Sequence, residues 1–212
     1  MKAPLLIAAA VALAIVVGAL TAVLADRRHS VSIALPPPSP YRGSIPPPGV
    51  RAPDFTLRDY RGTRVTMSQL HGRVVLLSFV DSKCTQKCPI VTSVIAEAIR
   101  QLPAKARRQV VPLLMSVDPE VDTAVSIHRF LARRGALTLS YLVGPVREMR
   151  PIWKAYGILA AADTGNTDIH SSDVRIFDPN GIWVSTQHAG EDLTPENLRH
   201  DSLEALNVIR VR

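Results

Sequence analysis

A chain of 212 residues has room for one domain of about 150–200 residues and a short appendage, and excludes two large domains. With 47% hydrophobic and 20% charged residues it can bury a core, so disorder throughout is excluded; two cysteines exclude a disulfide-dense scaffold and a four-cysteine zinc site. A formal net charge of +7 suits an acidic partner, an anionic membrane or nucleic acid without choosing among them.

Ala3 to Ala25 is a stretch of 23 residues with no ionisable side chain. At about 1.5 Å per helical residue it reaches the roughly 30 Å of a bilayer's hydrocarbon core. The expectation is a membrane helix within an anchor at 1–28, with a cleaved signal peptide as the alternative, because Val23-Leu24-Ala25 resembles a small-residue cleavage site. Lys2 on one side and Arg27 and Arg28 on the other leave the orientation undecided by charge. Residues 29–52 contain Pro36, Pro37, Pro38, Pro40, Pro46, Pro47 and Pro48, which favour extended backbone over helix or central strand. They read as a stiff tether, and the domain, 53–212, is expected to fold from about Val50 onward without help from it.

Phe55-Thr56-Leu57 and Arg64 to Met67 flank a turn at Gly62 and predict a short hairpin. Val74 to Val80 is a continuous apolar run apart from Ser78, the pattern of a strand buried on both faces. Pro89 suits a first helical turn, and Val91, Val94, Ile95, Ala98 and Leu102 follow at helical spacing. Val110 to Val117 predicts a second buried strand, Glu120 to Arg134 a helix closed by Gly135, and Leu139 to Val143 a third strand. Asp118, before Pro119, is positioned to cap that helix. Pro145 to Tyr156 has helical composition, with Pro151 expected to kink or interrupt it. Asp173 to Phe177 and Ile182 to Thr186 flank Asp178-Pro179-Asn180-Gly181, a hairpin turn, and Thr194-Pro195-Glu196 starts a last helix. Alternating strands and helices ending in a hairpin and helix imply an α/β fold with a mixed sheet covered by helices.

Cys84-Thr85-Gln86-Lys87-Cys88-Pro89 carries the chemistry. Within one regular helix the two Cβ atoms would lie about 5–6 Å apart, too far for a disulfide. Pro89 instead starts the helix near Cys88 and leaves Cys84 in the loop, so the pair can close to a disulfide or open to a metal. Cys88 at a helix N-terminus, with Lys83 and Lys87 nearby, is expected to favour thiolate. Two thiolates and one imidazole suit Cu(I) better than a hard cation. A thiol–disulfide exchanger is the rival reading, although its usual spacing is Cys-x-x-Cys. Of the six histidines, His29, His71, His128 and His200 have no setting that suggests a ligand. His170 ends the polar loop Gly165 to Ile169 just before a predicted strand, where α/β sheets place ligand groups, and His188, after the next strand, is the reserve candidate.

Cys84-x-x-x-Cys88-Pro89, then Ser116-Val117-Asp118-Pro119-Glu120-x-Asp122-Thr123, then Asp168-Ile169-His170-Ser171 leading to Phe177-Asp178-Pro179-x-Gly181, together resemble the Sco/SenC family, in the right order over roughly Pro53 to Leu206. The resemblance implies a thioredoxin-like fold. It also implies a copper chaperone in preference to an enzyme, one in which Cys84, Cys88 and His170 hold Cu(I) or Cu(II) for assembly of the dinuclear copper centre of cytochrome c oxidase. The implied partner is the copper-receiving subunit of that oxidase. The implied location is the inner (cytoplasmic) membrane, single-pass, with the C-terminal domain in the periplasm or an equivalent extracytoplasmic space. Thr85 departs from the family pattern, which has proline after the first cysteine. If the protein is an enzyme, Cys84 and Cys88 are the redox-active pair of a thiol–disulfide oxidoreductase. Pro53 to Leu57 also resembles the opening of a peroxiredoxin, but Asp81 stands where a peroxidatic site has Thr or Ser. Lys105, Arg107, Arg108, Arg133 and Arg134 come with no nucleic-acid motif and few aromatics, so they read as a solvated face or a docking surface for an acidic partner, with no nucleic acid.

Overall fold

A computed structural model describes residues 38–160, 163 and 173–207. The chain divides into two units, Met1–Pro38 and Ser39–Arg212. The expected anchor at 1–28, His29 and the loop holding His170 lie outside the described residues.

The apolar run becomes β3, Val74–Val80, every residue of it buried. Its side chains alternate between two cores: Val74, Leu76 and Val80 face one, Val75, Leu77 and Phe79 the other. That two-sided burial explains the absence of polar alternation. Around it the chain builds β1 (Thr56–Asp59), β2 (Arg64–Thr66), β4 (Val110–Ser116), β5 (Ser140–Val143), β6 (Asp173–Phe177) and β7 (Trp183–His188) into one sheet of order β2-β1-β5-β4-β3-β6-β7. β3, β4 and β5 are parallel; β1, β2, β6 and β7 join antiparallel. The predicted hairpin between β6 and β7 turns at Gly181, whose φ of 74° suits glycine, while Asp178 Oδ1 accepts N–H bonds from Asn180 and Ile182 at 2.9 and 2.8 Å.

Helices cover both faces. On one, α1 (Lys87–Gln101), α3 (Ala124–Ala132) and α5 (Pro195–Asn207) contribute Val91, Ile95, Ile127, Phe130, Leu198 and Ala205 to the core. On the other, α4 (Val146–Ala155) contributes Met149 and Trp153. A short α2, Ala104–Arg107, links α1 to β4. This is the expected mixed sheet flanked by helices.

Three local expectations are corrected. Helix α4 runs through Pro151, whose exposed ring sits on the solvent side while Met149 and Trp153 anchor the helix to the sheet. Helix α3 begins at Ala124, not near Glu120, and is capped by Thr123, whose Oγ1 accepts the Ser126 N–H at 3.1 Å; Asp118 is not the cap. The largest correction concerns the stretch read as tether. From Tyr41 to Ala52 it is docked on the domain: Ser44 and Thr186 exchange backbone hydrogen bonds of 2.8 and 2.9 Å, and Trp183 N–H reaches Val50 O at 2.8 Å. Arg42 and Gly43 donate their N–H groups to Asp201, at 2.8 and 3.1 Å. Proline density ruled out a helix here but not an extended strand lying along an edge.

Candidate metal centre

The parallel strands β3 and β4 end side by side, and the segments leaving their carboxyl ends meet. In α/β sheets this is where ligand groups collect. Leaving β3, the chain turns through Asp81, Ser82 and Lys83, with Cys84 N–H bonded to Asp81 O at 3.3 Å, and enters α1 at Lys87. Pro89 sits in the first turn of α1, which places Cys88 on the helix and Cys84 in the loop, as the proline implied. Both cysteines are buried thiols, Cys84 6% and Cys88 1% exposed, joined by a side-chain hydrogen bond and not by a disulfide.

The Cys88 thiol is held well above the ordinary range, first by that bond to Cys84 and then by burial, with the Asp81 backbone opposing. This corrects the expectation that the helix N-terminus and Lys83 and Lys87 favour thiolate at Cys88. The lysine side chains are exposed, where solvent screens them, while the thiol is sealed in the core.

Asp122 joins the loop to the sheet. Its Oδ2 accepts hydrogen bonds from Ser116 Oγ (2.6 Å) and Tyr141 OH (2.7 Å), and its Oδ1 accepts the Ser82 N–H (2.9 Å). Ser82 Oγ in turn meets Ser126 Oγ of α3 at 2.9 Å. One carboxylate thus ties the ends of β4 and β5 to the cysteine loop. Burial raises its pKa, while bonds from Ser116, Ser82 and Tyr141 pull it back. The sequence held Asp122 only as part of the family motif and gave it no role, since its partners lie as far as 40 residues away.

Asp81, fully buried, accepts the Lys83 N–H on Oδ1 at 2.6 Å, but its Oδ2 has no hydrogen-bond partner. Burial pushes its pKa up to about 6, with the charges of Asp122 and Asp118 adding to the rise. A carboxyl whose folded value exceeds its unfolded value of 3.8 binds its proton more tightly when folded. Its contribution to stability is therefore complete below pH 3.8 and is lost as pH rises through about 6. Asp81→Asn is expected to stabilise the reduced, metal-free protein by about 1–3 kcal/mol near pH 7.5 and by little near pH 4. Denaturant titrations at the two pH values check this; equal effects at both would show that the carboxylate charge carries no penalty.

His188 ends β7, where its N–H donates to Asp192 Oδ1 at 2.6 Å. His128 is exposed, and His200 Nδ1 lies 3.0 Å from Asp201 Oδ1. Among the described residues no three His, Cys, Asp or Glu side chains form a group that could hold a metal ion, so Cys84 and Cys88 are brought together without a third donor from that set. His170 lies outside it. The described chain does resume at Asp173, whose C=O accepts the Ser78 hydroxyl at 2.7 Å, toward the same end of β3 from which the cysteine loop leaves.

Comparison with known proteins agrees with this geometry. Residues 46–206 match the SCO1/SenC family model. The chain is 28% identical to the mitochondrial protein SCO2 homolog of Bos taurus over 156 residues, covering 69% of this chain and 58% of that one. It is 30% identical to the mitochondrial protein SCO1 homolog 1 of Arabidopsis thaliana over 104 residues, 49% of this chain and 31% of that one. It thus spans less than two thirds of the length of these relatives. The copper-bound structure of ScoI from Bradyrhizobium japonicum superposes with a TM-score of 0.62 at 27% identity, covering 74% of this chain and 99% of that one.

Proposed function

Because the chain belongs to the SCO1/SenC family, we propose that its cysteine loop takes up copper through Cys84, Cys88 and His170 and delivers it to the copper-receiving subunit of cytochrome c oxidase during assembly of the dinuclear centre. The observation that carries this reading is the pair of buried thiols in mutual contact at the carboxyl end of β3. Two soft sulfur donors in a shielded setting suit Cu(I), and adding an imidazole suits Cu(II) as well. The copper-bound ScoI relative supports the same assignment. Two residues, Ser171 and Ser172, separate His170 from Asp173, so three steps of extended chain span at most about 11 Å to the point where β6 begins beside β3.

The chain is anchored by 1–28 in the cytoplasmic membrane, with the domain on the periplasmic or equivalent side. Among the described residues no helix is long and apolar enough to cross a membrane, and Ala3 to Ala25 lies outside them. With 41–52 docked, the tether of this proposal shortens to 29–38.

Copper loading of the reduced chain tests the reading. One equivalent with an intense thiolate-to-Cu(II) absorption band is expected, none in Cys84→Ser/Cys88→Ser, and retention at least tenfold weaker in His170→Ala. A second reading, thiol–disulfide reductase toward the cysteines of a copper-protein target, is favoured by the contact between the thiols, which lets them close to a disulfide. It requires the cysteines but not His170. Unchanged copper retention in His170→Ala alongside persistent reductase activity would give that reading precedence.

A further inference from the structure

Beside the cysteine loop lies an open cleft of about 380 Å³, floored in part by Cys84. Cys88 is not on its wall. Lys83, Arg129, Arg133 and Arg134 line it, and no carboxylate does. Among the described residues none of these four cations is in an ion pair. The Arg134 guanidinium is stacked 3.9 Å over the Phe130 ring and bonded to Phe130 O at 2.6 Å, so it is fixed in place without an anionic partner. Burial and then the charge of Arg133 lower its pKa, against an opposing pull from Cys88 and Cys84. The side chains next to two lining residues, Ile90 beside Pro89 and Val125 beside Ser126, remain 54% and 67% exposed.

We propose that this cleft is the docking surface for an acidic, cysteine-bearing segment of a partner polypeptide, which brings the partner's sulfur to Cys84. The inference rests on the proposed function in that such a segment belongs to the copper recipient or to the thiol exchanged with the loop. Concentrated, unpaired positive charge selects acidic side chains and steers their approach. The exposed apolar side chains of Ile90 and Val125, next in sequence to lining residues, favour a polypeptide over a small inorganic anion. Because Cys84 lines the cleft and Cys88 does not, the partner meets Cys84 first, and Cys88 follows from behind.

The test uses synthetic peptides carrying one cysteine as a mixed disulfide with neutral 2-thiopyridine, flanked by glutamates in one and lysines in the other. Cys84 sulfur bonds to the peptide sulfur, the bond to the pyridine sulfur breaks, and pyridinethiol leaves with the electron pair and takes up the proton, so its absorbance reports the rate. At low salt the acidic peptide is expected to react about 10–100-fold faster than the basic one, with the ratio collapsing as salt is added. Arg129→Glu/Arg133→Glu should bring the ratio to within about threefold while leaving the rate with uncharged iodoacetamide, and copper stoichiometry, unchanged. Equal rates for the two peptides in the parent protein would overturn the proposal. So would a charge preference that survives the arginine substitutions, or binding to phosphatidylglycerol vesicles that uses the same arginines and excludes the acidic peptide. Failure of the parent chain to retain copper would count against the function above and leave the peptide ratio as an independent result.

Discussion

A chain beginning at Val50 is expected to be less stable than one beginning at Ser39 by about 3–5 kcal/mol, although both retain every strand of the sheet. The reason is Asp201. It lies fully buried on α5; its Oδ2 accepts hydrogen bonds from Gly43 N–H, Ser185 Oγ and Gln187 Nε2, and its Oδ1 accepts the Arg42 N–H and lies 3.0 Å from His200 Nδ1. These bonds outweigh its burial, so its pKa is lowered. Removing 39–49 deletes the two backbone donors and leaves a buried carboxylate short of partners. A depressed carboxyl contributes stability above its unfolded pKa of 3.8 and loses it as pH falls through its folded value, so the gap between the two chains should narrow in strong acid. Gly43→Ala in the complete chain should move stability the same way by about 2–4 kcal/mol, because a Cβ there would stand 2.4 Å from Thr186 O and 2.5 Å from Ser185 Oγ. Denaturant midpoints measured side by side decide it; coincident curves for the Ser39 and Val50 chains would mean that the docked segment is decoration.

Asp122→Ala is expected to cost about 3–5 kcal/mol and to loosen the cysteine loop. Ser116 Oγ and Ser82 N–H lose this acceptor, and the buried Tyr141 OH is left with Val80 O alone, at 3.2 Å. Asp122→Asn keeps the volume and one acceptor oxygen, and the two hydroxyls can rotate to accept from its amide. It should cost no more than about 2 kcal/mol. With Ser82 released, Cys84 should alkylate faster with uncharged iodoacetamide in the alanine variant, while the asparagine variant stays near the parent rate. If alanine lowers stability without changing that rate, Asp122 is a strut for the sheet ends and does not position the loop.

The parts of the fold that could be read from sequence are those whose signal is local. β3 was legible because two-sided burial leaves an apolar run broken only by Ser78, and the cysteine loop because Pro89 fixes where α1 begins. Pro151 does not interrupt helix α4, because a proline's cost is local while the hold of Met149 and Trp153 on the sheet is not. The two carboxylate hubs were missed for the same reason. Asp201 did leave a trace: Leu198, Asp201, Ser202 and Ala205 fall at helical spacing, which puts an acidic side chain on the buried stripe of α5. Asp122 stood in the family motif without any sign of its role, since it precedes its helix and its partners come from three other elements. At the site, sequence order brought Cys84 and Cys88 together correctly but gave the wrong charge preference for Cys88, because burial cannot be judged from neighbours in the chain.

The docked segment also settles what becomes of the sheet's far edge. β7 pairs with β6 on one side, and on the other Ser44 and Arg51 bridge to Thr186 and Ile182, so residues 44–51 lie along a margin that would otherwise offer open backbone to another chain. A protease cut within 39–50 would do more than weaken the domain. It would uncover a strand able to recruit a second copy edge to edge, turning a local nick into self-association.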